Sequence, residues 1–273
     1  MAEVLKASES GYYKWLQRLT APPTEKEMED IRLAEEIFEI YSNSRGSYGS
    51  RKITIELNKK REKKINHKRV ERLMGEYELY SKVSKRYVST TDSNHSEPIA
   101  EELLGRDFTA EKPNEKMVSD TTVVSTGEGN LYAAGILDLC GRMPVGLAVS
   151  QSNDSKLVSD AFRDMTLRGV GAPGCILHSD RGSTYASKVY RTLIAEGGFI
   201  CSMSHKGDCW DNAPMESFWG KMKSEWLRKK YDTIDEAKRD IYEYFWHFYP
   251  LLRPHQSNNY LTPFEYYEQA KNR

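Results

Sequence analysis

Three runs of β-prone residues, Lys116 to Ser125, Leu131 to Cys140 and Met143 to Gln151, are joined by the short turns Thr126-Gly127-Glu128-Gly129 and Gly141-Arg142. Connections this short make hairpins, because a parallel crossover needs a dozen residues or more. The three strands are therefore expected as an antiparallel meander. Beyond them the pattern alternates: a helix from Ser155 to Arg168, a strand from Cys175 to Ser179, a helix from Ala186 to Glu196, a short strand from Phe199 to Met203, and a long helix from Asn212 to Lys229. A meander succeeded by alternating strands and helices implies an α/β fold, a mixed five-stranded sheet covered by helices.

Ahead of the sheet the periodicity is helical. From Glu25 to Ser42, Met28, Ile31, Ala34, Ile37, Phe38 and Tyr41 recur at steps of three and four. A second helix fits Ser50 to Lys60 with Ile53 and Leu57 inward, and a third fits Asn66 to Tyr77 with Val70, Leu73 and Met74 inward and Asn66 as N-cap. Thr90 to Asn114 is polar and punctuated by proline, which marks a linker. The expected division is a helical module over residues 1–92, a linker over 93–113 and a core over 114–273 with a C-terminal helical extension.

The formal charge is zero, with 40 Lys and Arg against 40 Asp and Glu, but it is unevenly spread. Between Arg45 and Arg86 stand 14 Lys and Arg against 5 Asp and Glu. Three short helices with basic outer faces resemble a helix-turn-helix unit, with Arg51, Lys52, Lys68 and Arg69 as candidate DNA contacts; a solvated bundle is the alternative. No apolar run approaches the roughly 18 residues needed to cross a bilayer, and the first residues are not of signal-peptide type, so a cytoplasmic protein without membrane contact is expected. Cys140, Cys175, Cys201 and Cys209 form no Cys-x-x-Cys pair and read as free thiols.

Three carboxylates have settings that suggest chemistry. Asp120 lies in the middle of the first strand, where an acid is disfavoured and a buried charge needs a partner or a metal. Asp180 ends the fourth strand, where open α/β sheets bind ligands, although a turn-forming Asp before Gly182 explains it as well. Glu216 falls in the first turn of the long helix, where it also complements the helix dipole. Thirty-five residues lie between Asp180 and Glu216.

Taken together, Asp120, Asp180 and Glu216 make the chain resemble the DDE transposases and retroviral-type integrases with a ribonuclease-H-like core. HSDRGSTY, SMSHKGDCWDNAPMESFWGKMKSE and RPHQSNNYLTP look like the second-reading-frame product of the insertion sequence three family of bacterial transposases, and SGYYKWL with SRGSYGSRKI resembles its N-terminal portion. Two positions depart from that pattern. Met117 and Val118 stand where a tryptophan commonly precedes the first Asp, and Tyr249-Pro250 replaces Tyr-Asn before Arg253, Pro254 and His255.

The resemblance implies metal-dependent cleavage of transposon ends and joining by a 3′-hydroxyl. Asp120 would bridge two magnesium or manganese ions, with Asp180 and Glu216 each holding one. It also implies transposon-end and target DNA as partners, a homo-multimer on DNA, and an upstream-reading-frame product as a further partner. Lys223, seven residues after Glu216 and on the same helix face, is placed to meet a phosphate, a solvated lysine being the alternative. Lys206 and Arg253 are further candidate DNA contacts. His178 and Asn212 are candidates to support the carboxylates, and a packing role suits His178 equally. Met215, Phe218, Trp219, Met222 and Trp226 read as a core stripe. A nuclease of the same fold without joining, or a non-catalytic DNA-binding regulator, remains the competing reading.

Overall fold

The computed structural model describes residues 8–59, 61–83, 99–205 and 209–272. It divides into two compact units, Met1–Ser81 and Lys82–Arg273.

The first unit is helical: α1 (Glu9–Thr20), α2 (Glu25–Asn43), α3 (Ser50–Lys59) and α4 (His67–Glu76). The last three match the sequence reading, and α1 is an addition to it. Thr24 and Glu27 form a capping box at the start of α2, and Asn66 caps α4 by accepting from the Lys68 amide at 2.9 Å. The core joins Leu33, Ala34, Ile37 and Tyr41 of α2 to Ile53 and Leu57 of α3 and Val70, Leu73 and Met74 of α4. Met28, Ile31 and Phe38, which share the apolar periodicity of this segment, are exposed. At 100° per residue they lie between about a quarter and a half turn round from Ile37, away from the stripe of α2 that packs on α3 and α4.

The second unit holds a five-stranded sheet in the order β3-β2-β1-β4-β5, from β1 (Lys116–Thr126), β2 (Gly129–Asp138), β3 (Met143–Ser150), β4 (Ile176–Ser179) and β5 (Ile200–Met203). β1, β2 and β3 pair antiparallel, whereas β4 joins β1, and β5 joins β4, in parallel. This is the mixed sheet expected. The crossovers are α5 (Ser155–Leu167), then α6 (Ser183–Ala186) with α7 (Lys188–Glu196). The helix expected from Ala186 to Glu196 is α7, which begins at Lys188 because Ser187 takes an extended ψ of 142° and caps it through the Tyr190 amide, and the short α6 precedes it.

On one face of the sheet Leu157, Ala161, Phe162 and Met165 of α5 pack with Met117, Ile136 and Leu177. On the other lie α8 (Ala213–Lys221) and α9 (Ile234–Glu243), each running into a π-helical stretch, Met222–Trp226 and Tyr244–Leu252. The helix expected to continue to Lys229 thus changes register at Met222 and ends with the Leu227 amide on the Met222 carbonyl. Gly135 sets the spacing of this layer: a Cβ there would meet the Trp219 ring at 2.8 Å and Phe245 at 3.0 Å. Phe218, Tyr249, Trp226 and Phe248 continue the aromatic core, with Phe218 edge-on to Tyr249 at 4.7 Å and Trp226 stacked on Phe248 at 4.3 Å. The chain closes with α10 (Pro263–Lys271), whose Tyr267 hydroxyl reaches Asp138 at 3.4 Å. Cys140 and Cys175 are buried free thiols and Cys201 a half-buried one; the Cys209 side chain lies outside the described residues. No described helix is long and apolar enough to cross a membrane.

Candidate active site

Asp120 pairs with Gly135 across β1 and β2. Directly opposed residues of an antiparallel pair point to the same side, so Asp120 faces the layer that Trp219 and α8 occupy. Its Oδ1 accepts from the Thr121 amide at 2.8 Å. Burial raises the Asp120 carboxyl well above the usual range, Asp180 and then Glu216 raise it further, and Lys223 opposes them.

Asp180 stands one residue past β4, held by an Asx turn in which its Oδ1 accepts from the Gly182 amide at 2.9 Å. Glu216 is in the first turn of α8, and its carboxyl is raised by burial and then by Asp180. Lys223 lies in the π turn after α8, its ammonium lowered by burial and favoured by Asp120. Three acids from three separate elements therefore act on one another, and a lysine from a fourth offsets part of their charge.

Carboxylates that disfavour one another's ionised forms are ones a bound cation would relieve. An all-oxygen donor set suits magnesium or manganese. Among the described residues, however, no three acidic, histidine or cysteine side chains are gathered tightly enough to ligate one ion as they stand.

Asn212, just before α8, is 4% exposed and donates from Nδ2 to the Ser119 carbonyl at 3.0 Å, while its Oδ1 has no partner. On the other side of the same strand residue, the fully buried Tyr185 hydroxyl is 3.0 Å from Ser119 Oγ. Burial and then Asp120 push that phenol well up, so it stays neutral. Tyr185 belongs to HSDRGSTY, and its burial against Ser119 is a tertiary contact that the motif itself does not signal.

His178 is buried and engaged by two serines, Nδ1 with Ser202 Oγ at 2.9 Å and Nε2 with Ser204 Oγ at 3.2 Å. Burial lowers its pKa, so the ring is neutral. Ser204 Oγ donates to the Ser179 carbonyl and Ser202 Oγ accepts from the Leu103 amide, which is consistent with a proton on Nε2. These contacts tie β4 to β5. Asp211, 2% exposed, accepts from Arg106 at 2.8 Å and from the His205 amide at 2.9 Å, an anchor ahead of α8 that spacing alone does not reveal.

The remaining candidates scatter. Arg253 is buried in a two-pronged ion pair with Glu225 rather than presented to DNA, because its fork fits that carboxylate. Arg69 is engaged by Asp30 and Glu29, and Lys52 sits 4.9 Å over the Tyr48 ring. Arg51 and Lys68 are exposed. Lys206 lies outside the described residues.

An integrase core domain model matches residues 110–209, a second integrase core domain model matches 198–263, and an HTH-like domain model matches 28–87. The insertion element IS600 uncharacterized 31 kDa protein of Shigella sonnei is 38% identical over 98% of this chain and 98% of its own. The putative transposase InsK for insertion sequence element IS150 of Escherichia coli (strain K12) is 34% identical over 98% of this chain and 93% of its own. The transposase InsF for insertion sequence IS3A of the same strain is 31% identical, covering 100% of this chain and 93% of its own.

Proposed function

Because the chain belongs to the insertion-element transposases with an integrase core, we propose that it cuts DNA at insertion-sequence ends and joins the freed 3′-hydroxyl to target DNA at a site built from Asp120, Asp180 and Glu216. The observation that carries this reading is that Ser119 pairs with Ser179, so Asp120 and Asp180 follow directly on neighbouring strands, while Asn212 fastens the head of α8, which bears Glu216, to Ser119. Asp120, Asp180 and Glu216 would hold two magnesium or manganese ions. The ions would supply charge neutralisation at the scissile phosphate on both the attacking and the leaving side.

The chain's own residues do the rest. The Thr121 amide and the Asx turn at Gly182 orient the Asp120 and Asp180 carboxylates. Asn212 and Tyr185 hold the Ser119 segment from two sides. Lys223 meets a phosphate of the bound strand. The helical unit grips DNA mainly through phosphates, and several copies assemble on the two ends, with an upstream-reading-frame product as a further partner.

The test is cleavage of a labelled end and joining of a pre-cut end, with magnesium, by the intact chain and by Glu216→Gln, Asp120→Asn and Asp180→Asn. Both reactions should collapse in all three variants while DNA binding without metal persists. Cleavage without joining in the intact protein would make it a nuclease of this fold.

A further inference from the structure

The Arg253 guanidinium makes two hydrogen bonds to Glu225, Nε to Oε2 at 2.7 Å and Nη2 to Oε1 at 2.6 Å, and the two side chains are 6% and 7% exposed. A buried pair of this kind adds little net stability over apolar residues of similar volume, since desolvation offsets the attraction. It does fix geometry, because the planar fork accepts a carboxylate in one orientation. Glu225 belongs to the π turn Met222–Trp226, two residues after Lys223, and Arg253 directly follows the second π stretch, Tyr244–Leu252. A π turn spends an extra residue per hydrogen bond, so it persists where tertiary contacts hold it, and whatever holds it sets where its side chains point.

Resting on the function proposed above, we propose that the Arg253–Glu225 pair is a positioning device for the active site. It locks the π turn in the register that stands Lys223 beside Asp120. The terminal RPH motif would then serve catalysis from inside the fold instead of touching DNA. Lys223 is the side chain through which the pair acts, and its ammonium is the cation that offsets Asp120.

The experiment is a double-mutant cycle in the full chain, with single-turnover cleavage, KM for the DNA end and thermal unfolding as readouts. Arg253→Lys keeps the charge and loses the fork. It should retain the fold and KM while kcat falls about tenfold to a hundredfold, the scale of a misplaced active-site group. Glu225→Gln, the milder partner, should fall in the same direction by less. Lys223→Ala should cost at least as much, and adding Arg253→Lys to it should cost little more, because residues acting through one another are not additive. Full multiplication of the two effects, normal turnover by Arg253→Lys, normal turnover by Lys223→Ala, or loss of the fold in both Arg253→Lys and Glu225→Gln would each overturn the proposal. Glu216→Gln run alongside separates the two levels. If it still cleaves, the active-site reading itself is wrong; if it is inert while the cycle is additive, only the positioning role fails.

Discussion

The side-chain amide of Asn212 donates to the Ser119 carbonyl at 3.0 Å, which fastens the head of α8 to the residue beside Asp120. Glu216 rides on that helix, so the bond relates two of the three carboxylates. Removing the donor with Asn212→Ala should cost about 1–3 kcal/mol, the usual penalty for a buried acceptor left without its partner. Asn212→Asp sets an acceptor against an acceptor and adds charge near Asp120, so it should cost more. Urea unfolding of both variants checks the order; an aspartate variant as stable as the alanine one would contradict it.

Glu216→Gln should separate stability from activity in an unusual direction. The Glu216 carboxyl is raised by burial and by Asp180, so its ionised form is disfavoured in the metal-free fold. The neutral amide should leave the metal-free protein as stable as before or slightly more so, while cleavage falls by orders of magnitude. Thermal unfolding without divalent ions, beside single-turnover cleavage with them, measures both. A clear loss of stability would show that the charge has a structural partner.

Asp138 gives a pH dependence of known sign. Burial pushes its carboxyl up to about 7, despite hydrogen bonds from the Asn114 and Cys140 amides and the Tyr267 hydroxyl. Because the folded state holds this proton more tightly than the unfolded chain, the contribution is fully present below the unfolded value near 4 and is lost as pH rises through about 7. Unfolding free energy measured from pH 5 to 8 should therefore fall more steeply in the intact protein than in Asp138→Asn. Parallel curves would remove Asp138 from the balance.

In the helical unit, exposure predicts which cations meet DNA. Arg51 and Lys68 are exposed, whereas Arg69 and Arg72 are engaged by Asp30 and Arg61 by Glu36. Replacing Arg51 or Lys68 by Ala should lower the log–log salt slope of end binding by up to about 0.9 each. Arg69→Ala should lower the unit's stability with a smaller change in slope. The reverse pattern in a salt titration would place DNA on the α2 side.

Gly135→Ala tests the approach of α8 to the sheet. The added methyl would press on Trp219, and overpacking of this kind costs about 1–3 kcal/mol. Thermal unfolding reads the cost, and cleavage should fall with it because α8 carries Glu216. An unchanged melting temperature would mean that the layer yields freely.

The strands were legible because period-two patterning and short turns are local signals, and β1 to β3 begin and end within two residues of the expected limits. The course of the chain after Lys221 was not. The π turn at Met222–Trp226 accompanies a pairing of Glu225 with a residue 28 positions away, which no window of helical periodicity contains. The same pairing hid the burial of Arg253, whose charge and motif suggested a surface. The exposed side of α2 was not legible, because apolar spacing cannot tell which part of a broad stripe a small bundle covers. For the candidate site, residue type and spacing pointed to Asp120, Asp180 and Glu216, while Tyr185 and Asp211 become visible only once β1, β5 and α8 are assembled.

The carriers of the three carboxylates are spread along the chain, on β1, after β4 and on α8, and β4 reaches β1 only through a parallel crossover. A ribosome reading the message therefore delivers Asp120 and Asp180 well before the helix that bears Glu216. Until that last third emerges and docks, the nascent polypeptide lacks one of the three acids to which DNA cleavage is ascribed above. On the proposed reading, the order of synthesis itself acts as a safety interval, and a message cut short before Glu216 yields a fragment that cannot break DNA.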